Sequence, residues 1–280
     1  MRKRYFILFA IAILMFPELL FAEIDTLWTR NYWEGAIESI LETSGDGFIF
    51  TGANGGWDGI IEVTKVDSIG EILWSKNYGD YNYSAGLGII RANDDYLITG
   101  WCGNSVWWAS DLFLIEINCV GDSLWAYIYG SDSTDEEAHC IIPTQDGGYI
   151  ISGYTNASPS SSNDIDNIVF GDNILLLKTD SIGNLKWVRI YGGEGDEYGE
   201  SVVQTDDGGY LVVGYGDYAS MLLVDSLGNE ITHINDGMEY YSVIKSIDGD
   251  YVAAGAKWHG EYYTLYIAKV DRELNLLDWK

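Results

Sequence analysis

The sequence predicts an all-β fold of five tandem units, each of four short antiparallel strands, and three recurring phrases carry that prediction. The first is Gly-x-x-x-Trp, read at Gly70-Glu71-Ile72-Leu73-Trp74, Gly121-Asp122-Ser123-Leu124-Trp125 and Gly183-Asn184-Leu185-Lys186-Trp187. Trp28 opens this series without its Gly, Thr232 takes the slot after Gly228, and Trp279 closes it, at intervals of roughly 50 residues. The second phrase is Thr-x-Asp-Gly-Gly-Tyr at 144–149 and 205–210, with looser copies at 43–48, 91–96 and 246–251. The third is Asp-Ser-x-Gly at 67–70, echoed at 118–121, 180–183 and 225–228.

Each unit divides into four strands. In the fourth, Ser201-Val202-Val203-Gln204 meets a turn at 206–209, then Tyr210-Leu211-Val212-Val213-Gly214. A loop leads to Met221-Leu222-Leu223-Val224, and the turn at 226–229 leads to a last strand through Thr232. Asp-Gly-Gly between β-branched runs is a hairpin signal, because Gly supplies the positive φ that a tight turn needs. A single four-stranded sheet is marginal alone, whereas stacked sheets bury both faces. Tandem four-stranded units of this length match the blades of a β-propeller, with a larger ring of six to eight blades as the alternative. The strand around Trp28 adds one strand to the number that five closed blades need.

The chain begins as a secretory signal peptide does. Arg2, Lys3 and Arg4 precede an apolar run at 6–16, and Leu20-Phe21-Ala22 suits cleavage before Glu23. Pro17 and Glu18 interrupt that run short of a bilayer span, and nothing later is apolar enough to be one. Residues 1–22 are therefore read as leader and 23–280 as the repeat domain of a secreted, periplasmic or cell-surface protein. A formal charge of −28 repels phosphate backbones and excludes nucleic acid as a partner. High charge also fits disorder, but 14% aromatic and 47% hydrophobic residues demand a packed core. The odd set Cys102, Cys119 and Cys140 reads as mostly buried small residues, with room for one bridge.

These residues resemble the exported bacterial β-propeller-repeat proteins. Trp74-Ser75-Lys76-Asn77-Tyr78-Gly79 and Trp187-Val188-Arg189-Ile190-Tyr191-Gly192 carry one family phrase, and Thr-x-Asp-Gly-Gly-Tyr carries the other. Gly-x-x-x-Trp is also similar to the tryptophan-docking motif of quinoprotein propellers. Asp67 stands one residue nearer to Gly70 than in that motif, so the resemblance implies the docking role and not the quinone.

Strands a to d of each unit, counted from the axis outward as in known propellers, put the short a–b and c–d turns on one face of the disc. The variable b–c and d–a loops share the other, and variable loops on a repeated scaffold are where binding specificity resides. The expected ligand contacts there are Trp33, Trp57, Trp107, Trp108 and Trp258, rings suited to stack on a sugar or anchor a peptide. The competing expectation is that these rings pack between blades. Acids cluster in the same loops (Asp132, Asp135, Glu136, Glu137; Glu194, Asp196, Glu197). They are expected to accept hydrogen bonds from their own loops, with a Ca²⁺ site as the alternative, although no EF-hand loop is present.

Signals of catalysis are sparse. His139, His233 and His259 lack metal-ligand spacing, and no Gly-x-Ser-x-Gly, P-loop or Cys-x-x-Cys occurs. The expectation is a non-enzymatic module that binds a glycan or protein and holds no cofactor. The alternative is a glycoside-active propeller with paired acids near the channel.

Overall fold

The computed structural model describes residues 29–32, 35–45, 47–54, 59–79, 83–103, 109–158, 168–193 and 195–279. Residues 31–280 form one compact unit; a second comprises residues 1–30, of which 29 and 30 are described and carry no regular structure. Twenty strands make five antiparallel sheets. The first holds β1 (Gly35–Glu42), β2 (Phe48–Asn54), β3 (Ile60–Val66) and β4 (Ile72–Tyr78). The second holds β5 (Tyr83–Ala92), β6 (Asp95–Gly103), β7 (Asp111–Ile117) and β8 (Ser123–Tyr129). The third holds β9 (Glu136–Pro143), β10 (Tyr149–Ala157), β11 (Ile168–Thr179) and β12 (Leu185–Tyr191). The fourth comprises β13 (Glu197–Gln204), β14 (Tyr210–Gly216), β15 (Met221–Val224) and β16 (Glu230–Ile234). The fifth comprises β17 (Glu239–Lys245), β18 (Tyr251–Trp258), β19 (Tyr263–Val270) and β20 (Leu276–Trp279). Among the described residues no helix is long and apolar enough to cross a membrane.

The five units of the sequence are the five sheets, each a meander of consecutive strands. The first strands of successive sheets pack on one another, so they are innermost; the fourth strands are outermost. There is no single core. Four apolar clusters lie one in each joint between consecutive sheets. Strand alternation feeds both joints at once: Ile151 packs back toward the second sheet, whereas its neighbour Ile150 packs forward against the fourth. No packing of comparable extent joins the fifth sheet to the first among the described residues.

The third phrase builds the c–d turns. Asp67 Oδ1 accepts from the N–H groups of Ile69 (3.0 Å) and Glu71 (2.9 Å), and Asn118, Asp180, Asp225 and Asp271 repeat the arrangement. The closing Gly serves the joint with the preceding sheet. A Cβ on Gly121 would lie 3.0 Å from Trp74 Cζ3, and one on Gly228 would lie 3.0 Å from Trp187 Cζ3. Each Trp thus rests on the turn of the following sheet. A Tyr four residues on ties the same turn, Tyr78 and Tyr191 donating to the carbonyls of Gly121 (2.8 Å) and Gly228 (2.6 Å) and Tyr129 to that of Gly183.

Three expectations need correction. Trp74, Trp125 and Trp187 occupy equivalent places, opposite Lys65, Glu116 and Lys178, but only Trp187 is buried; the other two are half-buried. Trp279 pairs with Ala268, so Asp278, opposite Lys269, holds the docking position of the fifth sheet. All three cysteines are free, and Cys119 is exposed on its c–d turn.

Candidate functional site

Each innermost strand carries a β-bulge at the same level. The register skips Glu38 in β1, Leu87 in β5, His139 in β9, Glu200 in β13 and Tyr241 in β17. A bulge leaves one residue without a ladder partner and re-aims its side chain. Five glycines of the second strands make room for it. A Cβ on Gly52, Gly100, Gly153, Gly214 or Gly255 would meet a carbonyl oxygen of the first strand at 1.7–2.0 Å. At Gly153 that atom is the carbonyl of Glu137, at 1.8 Å. No backbone absorbs such an overlap, so glycine here is a condition of the bulge.

The bulge residues converge on charged and aromatic chemistry. His139 Nε2 lies 3.5 Å from Glu137 Oε1, and its Nδ1 makes a charge contact of 3.2 Å with Glu200 Oε2 on the next sheet. Burial works to lower the His139 pKa, but hydrogen bonds and charge from Glu137 and Glu200 outweigh it and raise it to about 10. The imidazole is therefore an imidazolium at neutral pH. Glu38, on the first sheet, has its pKa raised by partial burial and, next, by the charge of Glu137 on the third. Those sheets are not neighbours, so that interaction reaches across the axis.

Tyrosines extend the cluster. Tyr154 donates to Glu137 (2.7 Å) and meets Tyr198 edge-on at 5.0 Å between centroids. Tyr198 donates to Asp172 (2.6 Å) and packs on Tyr215 at 4.9 Å, which in turn lies 5.9 Å from Tyr241. Tyr154 and Tyr215 stand near the ends of β10 and β14, and Tyr198 near the start of β13. This is the end of the sheets from which the variable loops leave.

The expected tryptophans give a different picture. Trp33, Trp57, Trp107 and Trp108 lie outside the described residues. Trp258 ends β18 and packs at a tilt on Tyr263, 4.7 Å between centroids, 48% exposed on the uncovered side of the fifth sheet. Its neighbour Tyr263 is close enough to the bulge residue Tyr241 to contribute, after burial, Glu239 and Tyr215, to raising the Tyr241 pKa. Of the loop acids, Asp135 and Glu197 behave as loop acceptors, and Glu194 lies outside the described residues. Asp135 takes hydrogen bonds from Ser110 N and Asn156 Nδ2, both 2.9 Å, and the buried Glu197 takes one from Gly193 N at 3.3 Å. Glu136 is 1% exposed; Thr155 satisfies one oxygen at 2.7 Å, and burial above all raises its pKa to about 7. Among the described residues no group of three or more His, Cys, Asp or Glu side chains is arranged to hold a metal.

His139 and Glu200 escaped the sequence reading because they lie in different units and form no local motif. The signal was present in the alignment of the repeats. Each second strand carries a Gly in the same place (Thr51-Gly52, Thr99-Gly100, Ser152-Gly153, Val213-Gly214, Ala254-Gly255), and each faces the bulge.

Fold and repeat together define a β-propeller, and comparison with solved structures agrees. The chain is similar to the periplasmic gluconolactonase PpgL of Pseudomonas aeruginosa at 10% identity, over 86% of this chain and 68% of that one, with a TM-score of 0.56. It is similar to the Pan2 WD40 domain of Neurospora crassa at 11% identity, over 84% and 61%, with a TM-score of 0.52. A Bacteroides caccae protein of unknown function aligns at 11% identity over 82% and 72%, with a TM-score of 0.52. At these identities the likeness is one of fold. No protein-family model and no curated protein matches the sequence, so the quinoprotein resemblance gains nothing beyond the shared propeller.

Proposed function

We propose that this chain is an exported, non-enzymatic binding module whose ligand enters the axial mouth on the variable-loop side and rests on the bulge ring. The ligand class is a neutral glycan or a polar protein segment. The observation that carries this reading is the convergence of Glu38, His139, Glu200 and Tyr241 from four sheets, flanked by Tyr154, Tyr198 and Tyr215. Carboxylates accept from sugar hydroxyls or peptide N–H groups, and tyrosine rings stack on apolar sugar faces. The net charge of −28 disfavours anionic ligands. Export rests on the basic-then-apolar leader. Trp57, Trp107 and Trp108, read from the sequence as variable-loop residues, would extend the contact.

Binding is favoured over catalysis by the state of His139. Both of its ring nitrogens face carboxylates of the chain itself, so neither is presented to a ligand as acid or base. One observation supports the alternative of glycoside chemistry: Glu38, its pKa raised, stands across from the Glu137–His139–Glu200 group, and glycosidases use one protonated and one ionised acid. A glycan array followed by calorimetry tests the proposal. Binding to a neutral glycan, weakened at least tenfold in Glu200→Gln and Tyr198→Ala with folding intact, is the expected result. Turnover of a chromogenic glycoside that Glu38→Gln abolishes would replace this reading with the enzymatic one.

A further inference from the structure

We infer that two copies of this chain associate through the outward side of their fifth sheets, related by a two-fold axis. In the four joints, the side of each sheet that faces its successor is covered. In the fourth sheet Val213 and Met221 on that side are each 1% exposed. Pairing register places Ala254 and Ile267 at the same positions of the fifth sheet, where Ile267 is 54% exposed. Leu265 at 65%, Ile244 at 60% and Trp258 at 48% lie on the same side. The fifth sheet is built as an interior sheet and, among the described residues, has no neighbouring sheet on one side.

A first sheet does not complete it, whether from the same chain or another. The slot on the first sheet that a preceding fourth strand would use is taken. Tyr32 donates to the carbonyl of Gly70 at 3.1 Å and packs on Phe50 at 4.9 Å, the same bond that Tyr78, Tyr129 and Tyr191 make to the turn ahead of them. The fifth sheet also lacks the side chain for that slot, since Asp278 stands where Trp74, Trp125 and Trp187 dock. The first sheet's own outward side is polar at its centre, where Glu62 accepts from Asn54 (2.5 Å), Thr64 (3.4 Å) and Ser75.

A second fifth sheet fits instead. From Ser242 onward, the outward positions of β17, β18 and β19 carry no acid, in a chain of formal charge −28; Glu239 and Asp278 flank this centre on the same side. Two copies that meet at this acid-free centre bring no carboxylates together there. Exposed, contiguous and apolar surface of this kind marks protein contacts, and a two-fold contact uses one self-complementary patch. The arrangement continues the sheet-on-sheet packing that the other joints already use.

Sedimentation equilibrium of the full-length chain tests this, with circular dichroism to monitor folding. A dimer is expected for the wild type and for Ile37→Glu on the first sheet, and a monomer for the double variant Leu265→Glu, Ile267→Glu. Leu265→Asn, a milder change, gives a graded weakening should the double variant fail to fold. A monomeric wild type overturns the inference. So does a dimer that survives both fifth-sheet changes, or one that Ile37→Glu dissociates.

Discussion

The joint between the third and fourth sheets and the uncovered side of the fifth sheet are made from the same strand positions, yet within the single chain one is buried and the other exposed. In the joint, Trp187 rests on Gly228, Tyr191 locks the turn, and the His139–Glu200 contact closes the inner end. On the fifth sheet, Ile267 and Leu265 have no such neighbour within the single chain and are largely exposed. Strand pattern alone does not bury a residue; the neighbour does. The sites of largest mutational effect therefore belong to the joints and to the bulges inside them, and exposed rings such as Trp258 matter less to the folded chain.

The largest effect is expected at the bulge. Gly153→Ala puts a Cβ 1.8 Å from the Glu137 carbonyl and should cost about 3 kcal/mol or more, measured by urea denaturation. Gly147→Ala, with open space around it and φ of +82°, should cost only about 1 kcal/mol. Equal losses would show that the bulge is dispensable.

Trp187→Ala comes next, at about 3–5 kcal/mol, as befits a buried indole. Trp74→Ala should cost visibly less, since its ring is half-buried. A reversed order would mean that the docking on the following turn, and not burial, carries the energy.

His139→Gln should lose on the order of 2 kcal/mol at pH 7. The folded pKa of about 10 lies above the ordinary 6.5, so the contribution is complete below about pH 6.5 and disappears as pH rises through 10. Thermal melts of the wild type should therefore fall across that range, and those of the variant should be flatter.

Glu136→Gln tests the other buried ionisable group. Its folded pKa of about 7 exceeds the usual 4.5, so ionising it works against the fold as pH climbs through 7. The amide should melt higher than the wild type at pH 8, by about 1 kcal/mol, with little difference at pH 4. Last, Trp258→Ala should alter the stability of the Leu265→Glu, Ile267→Glu background by under about 0.5 kcal/mol, because its ring lies on the uncovered side.

Much of this fold was legible in the residues. Repeated turns need Gly and Asp at set places, and strands need alternation of two, so the five units, their strands and the two turn types could be read locally. The beat placed Trp74, Trp125 and Trp187 in equivalent positions, and the resemblance to the tryptophan-docking motif implied their docking role. Trp279 misled because one position of register moves a residue to the other side of a strand, and spacing along the chain does not reveal register. The candidate site was harder still. His139 meets Glu200 only because two bulges face one axis, and a bulge is a mismatch between paired strands that neither strand shows alone. What the sequence determined by itself is therefore the repeat, its turns and its apolar sides, which are properties of neighbours in the chain. The tertiary structure alone decided which sides are covered and which charges meet, because those depend on how sheets distant in sequence stack around a common axis.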